Sequence, residues 1–132
     1  MRGMPRIVAP FTIAARPSHA SDAGPAPALD RTTFDKVFTG ERLVGTSVVE
    51  LVSVSTGAGP LAYVALERVD AELEGRAGTF VLRHVGTITA SGPMLDLRVV
   101  EGSGTEGLTG ITGVGSIQHT PEGARLELDY EL

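Results

Sequence analysis

The chain has 132 residues, no cysteine, no tryptophan and a net charge of −5. A single domain of this length buries most of its apolar surface without disulfide staples. Without thiols, disulfides, thiolate catalysis and cysteine-ligated metals are excluded, which is consistent with a cytoplasmic location. The acidic balance argues against nucleic acid and against an anionic membrane surface, both of which select basic patches.

The apolar run Ile7 to Ala15 follows a basic start, but it is interrupted by Pro10 and ends in Arg16-Pro17 instead of a small-residue cleavage site. It therefore reads as a first strand over 6–15 and not as a secretory leader. No apolar run approaches the length of a membrane-spanning helix. Residues 16–28, rich in Pro, Ala, Ser and Gly, read as a long loop. Period-2 alternation and turn residues then predict strands over 30–39, 43–54, 61–73, 77–90, 94–101, 111–119 and 124–131. The punctuation is Gly40-Glu41-Arg42, Thr56-Gly57-Ala58-Gly59-Pro60, Gly75-Arg76, Ser91-Gly92-Pro93 and Pro121-Glu122-Gly123. Between Gly102 and Gly110 lies a glycine-rich connection with room for one helical turn around Glu106 and Leu108. No segment keeps a 3.6-residue period. Even spacing suggests a sandwich or a barrel, and the hairpin-short connections favour the second: an all-β fold, a closed antiparallel eight-stranded up-and-down barrel, in which closure removes exposed edges.

The fourth and fifth strands can be registered. A two-residue loop Gly75-Arg76 suits a type II′ turn and would pair Glu74 with Ala77. Val69 then faces Leu82, Ala71 faces Phe80, and Glu67 faces His84. Phe80 and Leu82 require burial, so Tyr63, Ala65, Glu67, Phe80, Leu82 and His84 share the inner face. In the third strand Val48, Glu50, Val52 and Val54 occupy one face, and Ser47, Val49, Leu51 and Ser53 the other. The Glu50 face is taken as the inner one, which brings Glu50 near Ala65 and one diagonal step from Glu67.

Glu67 and His84 are the sharpest candidate site. A carboxylate beside an imidazole fixes its tautomer and equips it for general acid or base work, whereas the purely structural reading is a buried ion pair. Glu50 with Glu67 would form a carboxylate pair of the glycosidase kind, but no stacking tryptophan accompanies it. Tyr63 is a candidate hydrogen-bond donor to a ligand, and Phe80 and Leu82 are candidate apolar lining. His19, His84 and His119 lack zinc-type spacing, so no metal site is expected. The segment Gly102 to Gly107 resembles a phosphate loop but lacks the Lys-Ser/Thr ending and the helix that follows one. No Gly-x-Ser-x-Gly elbow occurs.

The run Tyr63-Val64-Ala65-Leu66-Glu67-Arg68 followed by Leu73-Glu74-Gly75-Arg76-Ala77-Gly78-Thr79-Phe80-Val81-Leu82-Arg83-His84-Val85-Gly86 resembles the signature of a bacterial family catalogued as domain of unknown function 3224. Phe34 to Gly40, Val48-Val49-Glu50, Gly102 to Gly113 and Leu128-Asp129-Tyr130 match it too, so the resemblance runs from about Phe11 to the C-terminus. That family is similar in fold to the allene oxide cyclase-like barrels of the calycin type. The resemblance implies an eight-stranded barrel with a central cavity and no established activity. Proteins sharing that barrel include cyclases of oxidised fatty acids and of polyketide-type products. The family is acidic in its first loop, whereas this chain carries only Asp22 there.

Three functional readings follow. In the first, the barrel binds an apolar small molecule and acts as an isomerase or cyclase, mainly by holding the substrate in a reactive fold. Glu67 and His84 would transfer protons, with Tyr63 and Glu50 assisting and no cofactor. The second is a non-catalytic lipocalin-like binder, and the third a dimeric structural domain with a filled barrel. A cavity well below roughly 300 Å³ would exclude the first two.

Overall fold

The computed structural model describes residues 5–16 and 27–132. The elements are β1 (Arg6–Ala15), β2 (Ala28–Thr39), β3 (Leu43–Thr56), β4 (Gly59–Leu73), β5 (Arg76–Thr89), β6 (Gly92–Val99), a single 3₁₀ turn (Glu106–Leu108), β7 (Thr112–Thr120) and β8 (Gly123–Glu131). The strands pair in sequence order and β8 closes on β1, giving an antiparallel barrel. The ladder between β1 and β2 begins at Phe11, just past Pro10, which has no amide hydrogen to contribute.

The β4–β5 hairpin turns one residue earlier than its sequence suggests. Leu73 pairs with Arg76, so the two-residue loop is Glu74-Gly75, with φ of 49° and 84°. Positive φ at both central positions is the type I′ geometry, whose twist matches that of the flanking strands. Glu74 is held in this conformation from outside the turn. Its N–H donates to Arg42 O at 2.7 Å, and its carboxylate accepts from Arg42 and Tyr130. Burial and this bond to Glu74 push the Tyr130 phenol up to about 12. The pairing therefore slides by two residues. Glu67 lies opposite Leu82, and His84 opposite Ala65. A two-residue slide leaves every side chain on its predicted face.

Strand β3 corrects a second expectation. Ser47 and Val49 point inward and are buried, whereas Glu50 is exposed on the outer face. The pairings Ser47↔Val69 and Val49↔Glu67 fix this phase. Local alternation could not fix it, because valines occupy both faces.

The barrel interior is divided along its axis. One end is packed solid by Ile7, Phe38, Leu43, Leu73, Phe80, Leu82, Leu126 and Leu128. The 3₁₀ turn and the residues just after it plug it with Leu108 and Ile111, which are 0% and 1% exposed. Its loop is anchored on β5, where Thr105 N–H donates to Thr79 O at 2.9 Å and Ser103 Oγ accepts from Val81 N–H at 3.0 Å. The opposite end is an open mouth. There the wall has a seam. β6 and β7 are joined only at Leu97↔Gly115 and Arg98↔Val114, and no pairing continues from there towards the mouth.

Candidate functional site

On β2 the residues Phe34, Lys36 and Phe38 alternate onto the inner face. Lys36 is paired with Ser47 of β3, whose neighbour Val49 is paired with Glu67 of β4. These side chains converge with His84 of β5 midway down the barrel. Glu67 Oε1 accepts from Lys36 Nζ at 3.2 Å and lies 2.8 Å from His84 Nε2, while Oε2 accepts from Ser47 Oγ at 2.5 Å. An ionised carboxylate only accepts, so His84 carries its proton on Nε2 and donates it to this bond. Glu67 has no exposure, and Lys36, Ser47 and His84 have 4%, 2% and 4%. Burial pushes the Glu67 carboxyl up. The hydrogen bond from His84, the charge of Lys36 and the Ser47 hydroxyl outweigh it, and the group sits below its ordinary 4.5. Lys36 Nζ also stands 4.3 Å above the Phe11 ring centroid, a cation–π contact that helps to solvate a charge removed from water.

Above this cluster the mouth holds a cavity of about 370 Å³. Its walls include Phe11, Phe34, Ile88, Met94, Leu95 and Ile117, and Lys36 contributes a charged group to the lining. Tyr63 lines the same cavity, and its position depends on Gly86 across the β4–β5 ladder. A Cβ at Gly86 would come within 2.1 Å of the Tyr63 ring, so only glycine lets the ring lie against the sheet. Burial pushes the Tyr63 phenol up, keeping it a protonated donor at neutral pH.

Glu67 and His84 thus meet inside the barrel, as their shared face implied, but they sit behind Lys36 and do not line the cavity. Phe80 and Leu82 are fully buried in the packed end and do not line it either. Glu50 lies on the other side of the sheet from Glu67 and accepts from Thr33 Oγ1 at 2.9 Å, so no carboxylate pair forms. His119 stands at the cavity rim, and His19 lies outside the described residues. Sequence reasoning missed Lys36 and Ser47. The signal for Lys36 was the Phe34-x-Lys36-x-Phe38 alternation, which threads a lysine between two core aromatics. Outside the barrel, where β6 and β7 part on the packed-end side of their two rungs, a depression of about 430 Å³ is lined by Arg83, Arg98 and Glu101, and it does not include Lys36.

A family model described as protein of unknown function (DUF3224) matches residues 7–132. The crystal structure of a DUF3224-family protein of unknown function from Shewanella oneidensis MR-1 is similar, with a TM-score of 0.87 and 33% identity. That likeness covers 98% of this chain and 97% of the other. No curated protein matches the chain.

Proposed function

The chain belongs to the DUF3224 family, whose function is unknown, and we propose that its barrel mouth binds an apolar small molecule carrying a hydrogen-bond acceptor at its inner end. The observation that carries this reading is the pairing of an apolar cavity of about 370 Å³ with a nearly buried lysine in its lining. The volume falls in the range of small-molecule sites, which are mostly apolar with a few placed polar groups. An ammonium has three donors. One serves Glu67 and the face of Phe11 takes part of the charge, leaving donor capacity for a carbonyl or carboxylate oxygen. Glu67, Ser47 and His84 act as positioning residues that hold Lys36 aimed into the cavity.

One observation favours a catalytic version, an isomerase or cyclase. Lys36 and Tyr63 place two proton-bearing donors in one apolar lining, suited to polarising a carbonyl. Glu67 and His84 would then serve by positioning Lys36 against the substrate oxygen, since the ionised Glu67 has no proton to give.

The test is titration with anilinonaphthalene sulfonate, an apolar aromatic anion, followed by displacement with decanoate. Saturable fluorescence that decanoate reverses is the expected result. Ile117→Trp, which fills the cavity from the wall without touching the charge cluster, should abolish it. Lys36→Met should weaken decanoate more than the neutral alcohol decanol. Binding indifferent to Ile117→Trp, or no binding by the folded protein, would overturn the reading.

A further inference from the structure

We propose that the outer face of β3, β4 and β5 is a homodimer interface whose two-fold axis runs along β4. Directly paired residues form rows across this face, namely Val54–Ala62–Thr87, Val52–Val64–Val85 and Glu50–Leu66–Arg83. Val52, Val64, Leu66 and Val85 are 41%, 53%, 56% and 36% exposed. A sheet face turned to water ordinarily alternates to polar residues. Four large apolar side chains clustered on three neighbouring strands instead mark an interaction surface.

The charges at the edge of the patch identify the occupant as a second copy. Two identical faces meet about a two-fold axis in the plane of contact, whose two limiting directions are along the strands and across them. An axis along β4 brings each β3 onto the other copy's β5 at the same level. Val52 then meets Val85, Val64 and Leu66 meet their own counterparts, and Glu50 meets Arg83 on both flanks. An axis across the strands, centred between Val64 and Leu66, would lay Glu50 on Val52 and Arg83 on Val85, pressing four charges onto apolar groups. Only the first arrangement is complementary throughout these two rows.

The local structure suits it. A barrel wall curves away on either side of its contact line, so the gap widens from β4 towards β3 and β5, where the long Glu50 and Arg83 side chains stand. Arg83 is loosely held within its own chain. It lies 3.5 Å from Asp96, and Asp96 is engaged more closely by Arg98 Nε at 2.9 Å. Among the described residues Glu50 commits only Oε2 to a hydrogen bond, from Thr33, with the Arg16 guanidinium nearby. Arg68 also lies on the axis, in the row Val48–Arg68–Val81, and would face its own counterpart. That like-charge meeting sets the end of the interface and centres it near Val64.

Sedimentation velocity across the micromolar range tests the proposal. The wild type should sediment as a dimer, and Leu66→Lys as a folded monomer whose thermal midpoint no longer depends on protein concentration, since Leu66 is not a core residue. Glu50→Arg and Arg83→Glu should each raise the dimer dissociation constant by roughly tenfold, the size expected for losing interfacial charge pairs. Combining the two reversals should restore it. A wild type that stays monomeric, whatever else this face binds, overturns the proposal. So does a dimer that survives Leu66→Lys, or a double reversal no tighter than either single one.

Discussion

Glu67 is a charge without access to water, so its partners decide whether it is tolerated. Removing one partner of a buried pair is far more damaging than removing both. Lys36→Met should therefore destabilise the barrel by roughly 3 to 5 kcal/mol. Lys36→Met with Glu67→Gln should recover a large part of that loss, as read from urea denaturation of the two singles and the double. The same carboxylate sets an acid response. Its folded pKa lies below the ordinary 4.5, so the unfolded chain binds more protons at low pH. The stability it contributes is complete above about pH 5 and is lost as pH falls through the folded value. Urea midpoints measured from pH 7 downward should show this loss, and Glu67→Gln should flatten the curve. The residues of this cluster were unequally legible. Glu67 and His84 could be placed inside because the turn displacement moved the register by two, which preserves faces. Glu50 was misplaced because β3 is apolar on both sides, and its outer valines are explained by the exposed patch and not by the core.

At the scale of the elements, the chain closes its barrel through turns whose chemistry is local and a plug whose chemistry is not. Gly75 occupies φ of 84° in the β4–β5 turn, a conformation that an L side chain adopts at a penalty. Gly75→Ala should lower stability by about 1 kcal/mol without altering the fold, a change visible in the thermal midpoint. The plug is more demanding. Leu108 is fully buried although it lies in a glycine-rich connection, because its loop is anchored through Thr105 and Ser103 to β5. Leu108→Ala should cost roughly 2 to 5 kcal/mol, as for other buried leucines, measured by the same denaturation. The sequence suggested a helical turn here from Glu106 and Leu108. It did not reveal that the turn stoppers the barrel, since that depends on which end of the cylinder the connection crosses.

For the whole molecule, strand spacing together with the hairpin-short connections made a closed barrel legible, but not its division into a packed end and a cavity. Cavity volume is a sum over side chains that eight strands bring to one level, and no local pattern carries that sum. The seam between β6 and β7 was equally hidden, because both strands read as ordinary and only their mutual alignment is short. A tube slit along part of its length keeps its resistance to bending but loses most of its resistance to twist. Shear should therefore concentrate on this line. Amide hydrogens on the seam side of residues 92–96 and 116–120 should exchange with solvent well before those of the long β3–β4 ladder, a contrast that hydrogen-exchange mass spectrometry reads directly. The softest stretch of the wall then borders the mouth, and the cylinder breathes along one line instead of around its rim.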